Sequence, residues 1–221
     1  MKKTLGIISV GILAIATVFF IANTNDLKNE VKLSEEVSNT SAPTKGQMKA
    51  ELETFNFDDA VANAELIAEV EIGKQIKEID DPAPKTLFEA TVKQVLKGTE
   101  NLENIEVLQQ GNSEWSFNDN NQFSPNEKYI LFLKKAVGEG YEGSNVYWIL
   151  GEETNIYSIV DGNKVVKNSL YEEDLKRIEE DTPVNTLNLI TKNERKKDIQ
   201  ILNKEKFEKR IVEIQSKTNS N

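Results

Sequence analysis

The residues best suited to touch a ligand lie in one stretch, 111–123. There Trp115 and Phe117 sit among Asn112, Ser113, Ser116, Asn118, Asn120 and Asn121. An aromatic pair amid amides and hydroxyls, between strands, suits a carbohydrate or peptide platform. Ring faces supply apolar contact, and the short polar side chains fix orientation. The same rings could instead plug one end of a barrel. Asp119, next to Asn118, Asn120 and Asn121, adds oxygens that a hard cation could use. The spacing departs from D-x-[DN]-x-[DN]-G, however, and no bidentate Glu follows at the right distance. No metal site is therefore assigned, and Trp115, Phe117 and Asp119 stand as the ligand-binding candidates.

Catalytic constellations are few. The chain has no His and no Cys. That removes the Ser-His-Asp triad, the H-E-x-x-H metalloprotease, thiol nucleophiles and most zinc sites. No S-x-x-K occurs, so that Ser-Lys arrangement is absent too. The carboxylate pairs Asp80-Asp81 and Glu152-Glu153 are adjacent, diverge on a strand, and read as surface. Gly138, Gly140 and Gly143 punctuate a hairpin loop that lacks the Lys-Ser or Lys-Thr of a phosphate loop. The expectation is a non-enzymatic protein with no catalytic residue and no cofactor.

The formal net charge is -10 over 221 residues. The acid concentrates in 51–160, where 21 Asp or Glu face 8 Lys. Such a surface excludes nucleic-acid backbones, which demand clustered Lys and Arg. It serves solubility, or weakly attracts Ca²⁺ or a cationic partner.

Lys2 and Lys3 precede an apolar stretch, 5–22, long enough to span about 27 Å as a helix. The lysines place the N-terminus inside and the remainder outside. The stretch reads as an uncleaved membrane anchor or as a signal peptide cut after Ala14-Ile15-Ala16. The protein is accordingly expected at a cell membrane, single-pass with an extracellular C-terminal domain, or else secreted. Residues 23–54 are polar, with a single aromatic at Phe55 just beyond, and read as a flexible spacer.

Beyond the spacer, 58–65 reads as a short helix. Period-two runs follow: Leu66, Ala68, Val70 and Ile72, then Phe88, Ala90 and Val92 with a bulge near Gln94, then 105–108. The run 129–133 is continuously apolar, as in a central strand covered on both faces. Strands at 146–150 and 156–160 follow, then a turn at Asp161-Gly162-Asn163 and a return over 164–167. Trp148 is expected in the core. Short strands without long helices between them indicate an antiparallel barrel or sandwich. Over 169–221 the pattern is helical. Ser169 with Glu172 has capping-box spacing before Tyr171, Leu175 and Ile178. Asn203 caps a second helix, with Leu202 and Phe207 as its staple and Phe207, Ile211 and Ile214 as its face.

In order, Glu65-Leu66-Ile67-Ala68-Glu69-Val70-Glu71-Ile72-Gly73, Thr91-Val92-Lys93-Gln94-Val95-Leu96-Lys97-Gly98, Ile105-Glu106-Val107, Gly111 and Pro125-Asn126-Glu127-Lys128-Tyr129-Ile130-Leu131-Phe132-Leu133 resemble small exported Gram-positive proteins of unknown function. The barrel of those proteins is similar to the OB-type barrel of netrin-like and tissue-metalloprotease-inhibitor domains. The resemblance covers about residues 56–168. It implies a fold, mainly β with flanking helices (α+β): a small antiparallel OB-like barrel over 55–168 with a helical extension over 169–221. Inhibition does not carry over, because that family's activity rests on an N-terminal Cys that this chain lacks. The expectation is an exported, non-enzymatic binding or protein-interaction module at the cell envelope. Its partners would be the membrane through an uncleaved N-terminal helix and an envelope protein or wall polymer. A carbohydrate-binding domain and a carboxylate-dependent hydrolase are the alternatives.

Overall fold

The computed structural model describes residues 45–99, 101–118, 120–138, 140–141, 144–181 and 199–218; the segment 1–22, spacer residues 23–44 and Asp119 lie outside the described residues. The fold is mainly β, with a closed 5-strand barrel and a C-terminal helix. Strand β1 (Gly46–Met48) and helix α1 (Phe57–Asn63) precede the barrel. The barrel begins with a meander: β2 (Leu66–Ile79) pairs antiparallel with β3 (Lys85–Lys97), and β3 with β4 (Asn104–Gln110). After β5 (Trp115–Phe117), β6 (Lys128–Lys135) returns antiparallel beside β2. Strand β7 (Val146–Ile149) closes the ring, antiparallel to the end of β6 and parallel to β4 through Leu108↔Trp148. Closure leaves these strands no open edge of the kind that invites aggregation.

The register of β2 on β3 jumps from Glu69↔Gln94 to Val70↔Val92, leaving Lys93 as the extra residue of a bulge at the place its sequence phase indicated. Strand β8 (Ile156–Val160) takes the remaining half of the β6 edge, and β9 (Lys164–Lys167) and β10 (Gln200–Asn203) extend the sheet away from the barrel. Helix α2 (Lys204–Thr218) follows β10 directly.

Two apolar cores share one wall. Leu66, Ala68, Val70 and Ile72 of β2 meet Leu131 and Leu133 of β6 inside the barrel, with Phe88, Val107, Tyr147 and Ile149. The opposite faces of the same strands, through Ile67, Ile130 and Phe132, enter a second core with α1, α2, Tyr157, Val165 and Leu202. Strand β6 is thus apolar on both faces, as its unbroken run indicated. In the second core, Phe57 lies 5.2 Å from Phe207 and 5.9 Å from Phe132, and Tyr157 lies 4.7 Å from Phe207 (ring centroids). Asn56 caps α1 by accepting from Asp59 N–H at 2.8 Å, and Lys97 Nζ donates to the carbonyls of Val61 and Ala62 at its end. Arg210 Nη2 reaches both carboxylate oxygens of Asp58, at 2.6 and 2.9 Å, joining α2 to α1. Asn203 accepts from Lys206 N–H, and Leu202 and Phe207 are both buried, as the cap and staple required.

Four expectations need correction. Residues 46–48 were assigned to the spacer but form β1, in parallel with β5. The pairing runs through the main chain, so a segment poor in apolar side chains can still dock. No helix starts at Ser169: its hydroxyl donates to the Glu153 carbonyl, Glu172 turns toward Lys167, and a short 3-10 turn spans Glu173–Ile178. Leu175 and Ile178 are buried there, while Tyr171 is exposed. The tail also holds β10, whose two buried apolar residues, Ile201 and Leu202, are too few to mark a strand by period. Trp148 is 48% exposed instead of core, because Tyr147 and Ile149 take the inward positions on β7.

Truncating Phe207 to Ala removes the ring at the centre of the second core. Chemical denaturation should show a loss of about 3–5 kcal/mol, the usual cost of such a cavity. Val212→Ala, at an exposed position of the same helix, should stay within about 0.5 kcal/mol. Equal effects would mean that α2 does not cover the barrel.

Candidate functional site

The loop from β4 to β6 crosses one end of the barrel, and its polar groups are tied to the tip of the β2–β3 hairpin. Asn112 is buried and holds the loop closed. Its Oδ1 accepts from the N–H of Glu114 at 3.0 Å and of Trp115 at 2.8 Å, while its Nδ2 donates to Asp80 Oδ1 at 2.9 Å. Ser113 donates through N–H and Oγ to the two oxygens of Glu78. Thr86 Oγ1 donates to the Gly111 carbonyl at 2.8 Å and accepts from Gln122 Nε2. Gln109, fully buried on β4, grips the far limb: its Nε2 donates to the Asn121 carbonyl and its Oε1 accepts from Phe123 N–H. Gly111 has φ +92, and a Cβ there would meet the Trp115 carbonyl at 2.9 Å, so the turn demands glycine.

On this frame the two candidate rings part. Phe117 is 7% exposed and points inward, whereas Trp115 is 37% exposed. Of the pair read as a platform, Trp115 alone offers surface to a ligand, and Asp119 lies outside the described residues. The indole lies over Gly46 of β1, where a Cβ would approach its Cε3 to 2.6 Å. Asn118, at φ +47, clamps the next residues of the same segment: its Oδ1 accepts from Ala50 N–H and its Nδ2 donates to the Ala50 carbonyl, both at 3.1 Å.

Beside this loop, the turn between β7 and β8 holds a residue the sequence reading misplaced. Glu152, expected at the surface beside Glu153, is buried, at φ +46 after Gly151 at φ +66. Burial pushes its carboxyl up to about 8; the Gln110 N–H, 3.5 Å from Oε2, works against that shift and the Glu153 charge adds to it. Lys167 on β9 is also buried, and burial pulls its ammonium down to about 8 against the pull of Glu172. Its Nζ donates to the Thr154 carbonyl at 2.6 Å and lies 3.6 Å from Glu172 Oε1. Gln200 completes this network, accepting from Glu172 N–H and donating to the Glu172 carbonyl. Lys167 thereby joins β9 to the turn and, through Glu172 and Gln200, to β10.

Among the described residues no group of three or more His, Cys, Asp or Glu is placed to hold a metal ion, and no helix is long and apolar enough to cross a membrane. No protein-family model matches the chain, and no curated protein matches it.

The two shifted groups give stability an opposite dependence on either side of pH 8. Glu152 binds its proton more tightly folded than unfolded, so its contribution is complete below its ordinary 4.5 and gone by about 8. Lys167 is less readily protonated when folded, so its contribution grows as pH rises from about 8 to 10.5. In Glu152→Gln, the decline of unfolding free energy between pH 5 and 8 should flatten relative to wild type, by up to about 1.4 kcal/mol per pH unit. Parallel pH profiles for the two proteins would place the Glu152 carboxyl in water.

Proposed function

We propose that this protein is a non-catalytic binding module, exported and tethered through its N-terminal apolar stretch, that holds a neutral or cationic glycan on the indole of Trp115. One observation carries the reading: Trp115 is exposed while the loop beneath it is pinned by Asn112, Ser113 and Gln109. An aromatic face held in place loses little entropy on binding, which favours ligand capture. The polar neighbours Glu78, Ser113 and Glu114 suit hydroxyls and amides at the rim of a sugar ring stacked on the indole. The acidic charge of 51–160 repels polyanions, so the glycan is neutral or carries amino groups. The ring order of the strands, with the meander β2-β3-β4, β6 beside β2, and β7 parallel to β4, supports reading the barrel as OB-like. Barrels of that type bind oligosaccharides among other ligands at the strand 2–3 face and at the loops joining strands 1–2 and 4–5; on this reading the β2–β3 hairpin tip to which the Trp115 loop is tied is the first of those loops. The expectation of export rests on Lys2, Lys3 and the apolar residues 5–22.

A second reading has its own observation. Trp148 is 48% exposed and Val137 79% exposed, near the apolar cluster of Leu87, Leu108, Ala136 and Val146, against which Tyr141 packs. Here the exposed ring has Leu108 beside it on β4 and Lys134 beside it on β6, a mixed apolar and charged surface that fits a partner protein of the envelope.

Retention of the protein on insoluble chitin, a neutral amino-sugar polymer, tests the first reading. Trp115→Ala should weaken retention at least about tenfold, equivalent to about 1.4 kcal/mol. Trp148→Ala should leave it unchanged. If Trp148→Ala abolishes retention and Trp115→Ala does not, the binding face is the apolar one. No retention by the wild type removes the glycan reading.

A further inference from the structure

We infer that docking of the strap 45–53 and the posture of Trp115 are one equilibrium, so that a ligand on the indole is felt by the segment leading to the N-terminus. This rests on the glycan reading only for the identity of the ligand. The strap is bonded to the Trp115 loop through its own main chain at Gly46, Met48 and Ala50. Gly46 N–H donates to the Glu114 carbonyl at 2.7 Å, Ser116 Oγ donates to the Gly46 carbonyl at 3.1 Å, and Asn118 N–H donates to the Met48 carbonyl at 2.9 Å. The Asn118 side chain then brackets Ala50, and further along the Glu53 carbonyl passes 3.3 Å from the position a Gly151 Cβ would occupy. No strap residue from 45 to 53 is buried. A segment with exposed hydrogen bonds and few apolar contacts opens at low free energy.

The side chain that covers the strap is Trp115 itself. The indole lies flat on Gly46 because that position has no Cβ. One face of the ring is therefore spent on the strap while the other remains available. With the strap in place, the indole has one orientation and a polar rim. With the strap gone, both faces are wet and the ring regains its rotamers. A ligand that binds the first arrangement better than the second must, by linkage, hold the strap down. Because Glu114, Trp115, Ser116 and Asn118 contact both strap and solvent, no longer relay is needed. The consequence is a module whose occupancy alters the freedom of residues 45–53.

The test uses the full chain in a Trp148→Phe background, leaving one indole. Asn118→Gly keeps the turn's backbone freedom but removes the bracket on Ala50. Acrylamide quenching of Trp115 and amide exchange at Gly46 and Ala50 should then both rise, while the amides of β2 and β6 stay protected. Faster strap exchange with unchanged quenching would overturn the inference. With chitin oligosaccharide added to the protein with Asn118 intact, exchange at Gly46 and Ala50 should slow by at least about fivefold, the low end of ordinary site coupling. Binding without any slowing overturns the inference and leaves the glycan reading standing. If the oligosaccharide does not bind, the glycan reading falls alone, because the quenching comparison needs no ligand.

Discussion

The fold depends on a wall that must be apolar on both faces. Strand β6 presents Leu131 and Leu133 to the barrel and Ile130 and Phe132 to the helical core, all fully buried. Strand β2 repeats the arrangement with Leu66 and Ala68 inward and Ile67 outward. A strand in this position has no solvent face on which a polar residue could sit harmlessly. It also has to pair along both edges: β2 on one, and β7 then β8 on the other. The break between β7 and β8 follows from that double duty. Strand β7 must stay beside β4 to close the ring, while β8 must leave it to start the second sheet. Gly151 in the left-handed region and the short 3-10 turn after it make the change of course.

This constraint explains what could be read in advance. The alternating phases of β2 and β3, the two-sided run in β6, the turn at Asp161-Gly162-Asn163 and the capped helix α2 all write burial into side-chain type at a fixed period. What escaped has no such record. Strand β1 docks through its main chain, and Gly46 is chosen by the indole above it, which its own neighbours do not betray. Strand β10 is only Gln200–Asn203, too short for a period. Strand β7 spans Val146–Ile149, where either phase looks apolar; its parallel contact with β4 decides that Trp148 faces out. In the loop from β4 to β6, composition pointed to Trp115, but the lock did not show. Asn112 finds Asp80 across 32 positions of sequence, and only the closed hairpin tip brings them together.

The turn from Gly151 to Asn155 carries a second consequence of the same geometry. It contains a buried carboxyl, Glu152, and receives a buried ammonium, Lys167, on its Thr154 carbonyl, and neither could be placed there from neighbouring sequence. Burying such groups is unfavourable unless they are neutralised or fully bonded. Both devices are present. Glu152 keeps its proton through neutral pH, whereas Lys167 is held by the Thr154 carbonyl, the Tyr157 ring and Glu172. The lysine pins β9 to the turn and, through Glu172 and Gln200, to β10. Apolar side chains could fill this space, but they would not dictate which strand meets which. The polar contacts do, since a misregistered pairing would leave a charge buried without its partner.

Selectivity at the barrel end follows from the same division between packed and polar parts. The loop bearing Trp115 is bonded by Asn112 and Ser113 to the tip of the β2–β3 hairpin and by Thr86 and Gln109 to β3 and β4. A ligand there meets a ring already oriented, so its binding energy goes into contact and little is lost in ordering the loop. The acids near the ring act at longer range. Glu78 and Asp80 accept from Ser113 and Asn112, and in an acidic surrounding a polyanion approaching the indole would be repelled before any stacking could begin. On the proposed reading the aromatic face favours a stacked sugar ring and the acids disfavour a polyanion, so the proposed ligand is a sugar ring without net negative charge.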